Sequence, residues 1–158
     1  MKVAIGADHL GLPLKESVKA HLESLGHEVV DFGVRDADPV DYPDVAVVVA
    51  REVAAHHYER AILVCGTGIG MAITANKVPG VRAATVADPY SAERAVASNN
   101  AQVLCLGARV VPPHLATILV DHWLAAEFAG GDSARKVGKI DALDAARRDG
   151  EREGSEAG

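Results

Sequence analysis

The run Cys65-Gly66-Thr67-Gly68-Ile69-Gly70-Met71 gathers a nucleophile, a hydroxyl and three alternating glycines. It continues from Ala61–Cys65, an unbroken apolar stretch that reads as a strand buried on both faces. A cysteine at a strand end, just before a helix, meets the helix's positive pole and its free N–H groups, which favour a thiolate. Glycines let the backbone approach a ligand and turn several N–H groups toward one anionic spot. The plainer alternative is a buried cysteine beside a tight turn. Two other chemistries compete for the loop. A cysteine phosphatase needs an arginine after the loop to clamp phosphate, and Met71 stands there. A dinucleotide site would use Gly66, Gly68 and Gly70 with Asp88 on a ribose hydroxyl, although the G-x-G-x-G form departs from the usual fingerprint.

Asp8-His9 follows the first apolar run and offers a carboxylate and an imidazole, unless Asp8 only caps the next helix. Arg109 stands right after the last strand-like run, where a cation reaches the same crevice or is simply solvated. Tyr42 covers a site or packs on the surface, and Asn99-Asn100 reads as a polar turn. The histidines carry no metal spacing. His56 and His57 are adjacent on an expected helix and point to different sides, and His21, His27, His114 and His122 stand apart.

What must position these residues is an alternation of short β-branched runs with helix-period segments, the pattern of a parallel α/β sheet. Strands are expected at Lys2–Gly6, Glu28–Asp31, Ala61–Cys65, Arg82–Ala87 and Gln102–Gly107. Helices are expected from about Pro13 to Gly26, then to about Asn76, over Ser91–Ala97, after Pro112-Pro113, and from 132 to about 148. Asp44–His57 suits a strand by its valines and a helix by its length and Ala/Glu/Arg content. The expected architecture is a doubly wound, Rossmann-like sheet of five parallel strands in a three-layer α/β/α sandwich. In the 2-1-3-4-5 strand order, ligands bind between strands one and three, beyond their carboxyl ends. Asp8-His9 and the Cys65 loop then meet in one cleft.

The 158 residues fit one domain, expected over 1–147 with a frayed, disordered tail at 148–158. A net charge of −6 argues against nucleic acid as partner. The longest apolar stretch, Val45 to Ala50, is far below the ~18 residues of a membrane span. No secretory leader is visible at the N-terminus, and the two cysteines, 40 positions apart, suit neither a disulfide scaffold nor zinc. A cytoplasmic protein is expected.

In the register of these residues the chain resembles type B ribose-5-phosphate isomerases, a family that also includes galactose-6-phosphate isomerase subunits. The resemblance runs from Lys2 to about Arg147. It is carried by Gly6-Ala7-Asp8-His9 with Gly11, by Asp41-Tyr42-Pro43, by Cys65 through Gly70, and by Ala75-Asn76-Lys77. Asp88-Pro89-Tyr90-Ser91-Ala92, Asn99-Asn100 and Gly107-Ala108-Arg109-Val110-Val111 complete it. It implies metal- and cofactor-free interconversion of an aldose and a ketose phosphate through a cis-enediol, with ribose 5-phosphate and ribulose 5-phosphate as the first pair. By that resemblance Cys65 is the base, and Thr67 bonds nearby. The N–H groups of Gly66, Thr67, Gly68, Ile69 and Gly70 hold the enediolate oxygen. Asp8 and His9 contact the sugar and its ring oxygen, while Tyr42, Asn99 and Arg109 complete the pocket. The family implies a homodimer, or a dimer of such dimers, with the site across the interface and the C-terminal helix packed on the partner.

Three positions depart from the family pattern. Ser98 stands where a histidine commonly opens the sugar ring, and serine titrates far from neutrality, so ring opening falls to Asp8, His9 or water. Asp132 and Lys136 stand where two arginines grip the substrate phosphate, a charge reversal and a loss of the bidentate fork. A tetrose phosphate, which has no ring to open, a hexose phosphate and an unphosphorylated sugar are therefore alternative substrates. A nucleotide-binding module built on the glycine loop is the alternative of another class.

Overall fold

The computed structural model describes the backbone of residues 1–156 and the side chains of residues 1–147. The chain alternates strictly: β1 (Lys2–Ala7), α1 (Leu12–Ser24), β2 (Glu28–Asp31), α2 (Tyr42–Ala54), β3 (Arg60–Cys65), α3 (Ile69–Ala75), β4 (Ala83–Thr85), α4 (Pro89–Ala97), β5 (Val103–Gly107), α5 (Pro113–Ala125) and α6 (Gly131–Glu156). Prolines in the first turn start α1, α2, α4 and α5, where a missing N–H has no intrahelical partner to lose. Asp88 caps α4 by accepting the Ser91 N–H at 2.7 Å. The ambiguous segment is helical and ends at Ala54. His56 therefore lies in the following turn, with φ 60°, rather than on a helix. The last residues of the expected tail, 157 and 158, lie outside the described residues, and no side chain beyond 147 is described.

All five strands are parallel, as expected, but their order is β2-β1-β3-β5-β4 rather than 2-1-3-4-5. Burial explains the exchange. Val103 through Leu106 of β5 are 0% exposed, which demands a strand covered on both faces, whereas Ala83, Ala84 and Thr85 of β4 are only partly covered and suit an edge. The connections sort the helices by face. Leu14, Val18 and Leu22 of α1 pack with Ala92 and Val96 of α4 and Leu119 and Trp123 of α5. Ala46, Val49 and Val53 of α2 pack with Met71 and Ala75 of α3 on the opposite face. The chain thus leaves β3 toward one face but leaves both of its neighbours, β1 and β5, toward the other. Two crevices open beyond the carboxyl end of the sheet, and the loop after β3 borders both.

Candidate active site

The exits of three strands form one cleft of about 390 Å³, lined by Asp8, Leu10, Tyr42, Cys65, Gly66, Thr67, Ile69, Gly70, Ile73 and Arg109. Cys65 ends β3 and is 4% exposed. The chain turns sharply after it because Gly68 sits at φ +78°, a conformation that costs other residues a Cβ clash. That turn brings the Gly68 N–H onto the Cys65 sulfur at 3.1 Å. Thr67 Oγ1 accepts the Ile69 N–H at 3.3 Å, and Thr85 Oγ1 donates to the Gly68 carbonyl at 3.1 Å, so side chains pin the loop on two sides. The exit of β5 closes the third side: Ala108 N–H donates to Cys65 O at 2.8 Å and Arg109 N–H to Gly66 O at 3.0 Å. Tyr42 packs against Gly70, where a Cβ would overlap its ring.

Asp8 is 4% exposed and accepts the Gly11 N–H at 2.8 Å, so it does help start α1. The two readings of Asp8 are not exclusive, because a carboxylate has a second oxygen and Asp8 lines the cleft. His9, by contrast, is not among the residues that line the cleft. Its Nδ1 accepts the Val40 N–H at 3.2 Å. Cys105, on the neighbouring strand, is fully buried. Burial first, and the nearby Cys65 second, push its thiol far above the ordinary range.

Four expected site residues lie elsewhere on this chain. Helix α4 starts beyond the carboxyl end of β4 and runs back, so Ser98 and Asn99 sit at the amino end of the sheet, opposite the cleft. Arg94 Nη1 reaches Ser98 Oγ at 3.5 Å. Helix α6 begins beside them, tied by the Ala129 N–H to Ala97 O at 3.0 Å, and it carries Asp132 and Lys136 there, both exposed. Asp132 lies 3.8 Å from Arg135 rather than pairing with Lys136 one turn on. Asp88, the ribose candidate of a dinucleotide site, is occupied as the α4 cap. Leu10 and Ile73 line the cleft although neither drew notice in the sequence. Their signals were adjacency to His9 and a one-turn spacing from Ile69. A larger hollow of about 490 Å³ between Phe32, Val40, Asp41, Val45 and Val48 contains carboxylates but no nucleophile. Among the described residues no three His, Cys, Asp or Glu side chains are grouped to hold a metal ion, and no helix is long and apolar enough to cross a membrane.

The sequence profile described as "Ribose/Galactose Isomerase" matches residues 3–140. The chain belongs to this family. It is 48% identical over 148 residues to the ribose-5-P isomerase B of Listeria innocua, covering 94% of this chain and all of that one. It is 49% identical over 142 residues to the D-erythrulose-4-phosphate isomerase of Pectobacterium atrosepticum, covering 89% and 93%. The structure of Clostridium thermocellum ribose-5-phosphate isomerase B superposes with a TM-score of 0.92 at 46% identity, over 93% of this chain and 99% of that one. The family is one of aldose–ketose isomerases rather than of cysteine phosphatases or dinucleotide-binding proteins.

Proposed function

We propose that this enzyme interconverts an aldose phosphate and a ketose phosphate through a cis-enediol, with Cys65 as the base. The observation that carries the reading is the Cys65 sulfur at the cleft, under the Gly68 N–H at 3.1 Å. In the aldose-to-ketose direction the thiolate takes the C2 proton, and the C–H electrons form the C1=C2 bond as the carbonyl oxygen O1 becomes anionic. The loop N–H groups hold that oxygen. A preorganised donor of this kind contributes about 2.7–4 kcal/mol to the transition state in a measured oxyanion hole. The O2 hydroxyl proton passes to O1, and Cys65 returns its proton to C1, leaving the carbonyl at C2. Thr67, Asp8 and Tyr42 bind the hydroxyls, and Arg109 takes negative charge. Since backbone donors carry the developing charge, turnover is expected to persist after exhaustive EDTA treatment. Loss of turnover with recovery on one specific divalent cation would overturn the metal-free step.

The same reading makes the working unit a homodimer in the cytoplasm, where phosphate esters are retained. It is supported by the split between the cleft and the opposite end of the sheet, where Ser98, Asn99, Asp132 and Lys136 gather: a second copy can bring that end to the cleft. Leu10, Tyr42, Ile69 and Ile73 form a rim 40–57% exposed, and α6 exposes Ile140 and Leu143, which suits burial against another chain.

Ribose 5-phosphate with ribulose 5-phosphate is the first substrate pair, in line with the named activity of the Listeria and Clostridium relatives. Ser98 favours a second reading, a tetrose phosphate, because an open-chain sugar needs no ring-opening acid. The Pectobacterium relative, named for erythrulose 4-phosphate, is equally similar. The test is kcat/KM across ribose 5-phosphate, erythrulose 4-phosphate, a hexose 6-phosphate and each free sugar. A pentose or tetrose phosphate is expected to exceed its free sugar by at least tenfold, the worth of one charge-assisted contact of about 1.4 kcal/mol or more. A free sugar that matches its ester would overturn the phosphate assignment. With a phosphorylated substrate, Asp132→Arg is expected to lower KM by removing a carboxylate from the anionic end.

A further inference from the structure

The one fully buried cation of the described residues is not in the cleft. Lys15, on α1, is 0% exposed, and its Nζ donates to both oxygens of Asp31 at 2.9 Å and to the Val34 carbonyl at 2.6 Å. Glu16 Oε1 lies 3.1 Å away, and Lys19 Nζ reaches Asp31 at 3.3 Å. Asp31 in turn accepts the Gly33 N–H at 2.8 Å. Burial alone would raise the Asp31 carboxyl, but the hydrogen bonds from Lys15 and Gly33 outweigh it and hold the group below its ordinary range. A buried ion pair is weak evidence for stability, because an apolar pair of similar volume often does as well. What an apolar pair cannot supply is the grip on Gly33 and Val34.

Those two residues matter because of what they touch. Gly33 O accepts the Ala7 N–H at 2.7 Å, and Val34 N–H donates to Ala7 O at 2.8 Å. Ala7 is the residue before Asp8. Edge strand β2 ends at Asp31, and the irregular stretch 32–41 then runs past His9, bonded through Val40, to Tyr42 at the start of α2. We infer that Lys15 and Asp31 are positioning residues: they clamp the start of this stretch onto the end of β1 and so set Asp8 and Tyr42 for substrate. This rests on the proposed role of those two residues as sugar contacts. Cys65, carried by β3 and the glycine loop, is outside the clamp.

The test is the double variant Lys15→Met with Asp31→Leu, which removes the charges together and fills the space, beside the near-isosteric Asp31→Asn. For the double variant, KM for the best sugar phosphate is expected to rise about ten- to a hundredfold, the scale of an ångström-level misplacement, with kcat within about threefold and a melting temperature near the parent's. Asp31→Asn, which keeps one acceptor, is expected to raise KM less. Amide exchange across 33–41 should quicken in both, and the rate of iodoacetamide alkylation at Cys65 should not change. A folded double variant with the parent's KM would overturn the inference, as would a fall in kcat at constant KM. Failure of both variants to fold would assign the pair to stability and overturn it too. If the parent itself turned over no sugar phosphate, the proposed reaction would fail, while exchange in 33–41 would still report whether the clamp holds.

Discussion

Cys65→Ala is expected to lower kcat by about 10² or more, the usual worth of a positioned general base, with circular dichroism and melting temperature close to the parent's. The side chain is small and lies at the cleft end of β3 rather than in the middle of the sheet, so its loss opens little volume. The cleft holds no second thiol: beside Cys65 it offers the Asp8 carboxylate, hydroxyls, an arginine and apolar surface. The same sulfur should be the first alkylated by iodoacetamide. Cys105 is fully buried and held protonated by burial, so it should react only when the chain opens. An alanine variant with near-parental turnover, or Cys105 labelled before Cys65, would remove Cys65 from the mechanism.

Gly68→Ala should damage both stability and rate. At φ +78° a Cβ costs about 1–3 kcal/mol of backbone strain. Here the new atom would also stand 2.9 Å from the Leu106 carbonyl carbon and 3.1 Å from its oxygen. Leu106 is the core of β5 and cannot yield, so the loop must move instead, taking the Gly68 N–H off the Cys65 sulfur. A melting temperature several degrees lower and a kcat reduced at least tenfold are expected, since one oriented donor carries more than about 1.4 kcal/mol in such sites. Gly26→Ala is the control. It has a similar φ of +84° with nothing within 4 Å, so it should share the strain and leave kcat alone. Equal effects of the two substitutions on kcat would show that the Gly68 N–H has no part in the reaction.

Much of this enzyme was legible in order along the chain. The alternation of β-branched and helical segments determined a parallel α/β sheet, because apolar runs of four to six residues can be satisfied only between two helical layers. The loops after β1 and β3 were readable as chemistry for the same reason: a doubly wound sheet presents strand carboxyl ends at its ligand crevice, and Asp8, Cys65 and the glycines stand there. The family could be read from the same runs, since the glycine loop, Asp41-Tyr42-Pro43 and Asp88-Pro89-Tyr90-Ser91-Ala92 stand in one order along the chain.

Other features needed the third dimension. The exchange of β4 and β5 follows from which strand is buried on both faces, and local pattern does not rank neighbours in space. That exchange puts the β5 exit beside β3, which is why Arg109 joins the cleft. The opposite end of the sheet holds Ser98, Asn99 and Asp132, because each helix must return the chain by the length of a strand. Residues adjacent to a motif in one-dimensional register are thereby separated by the thickness of the domain. Lys15 and Asp31, 16 positions apart, meet only because α1 crosses back over β1 and β2. Their pairing is a property of packing, which distances along the chain do not encode.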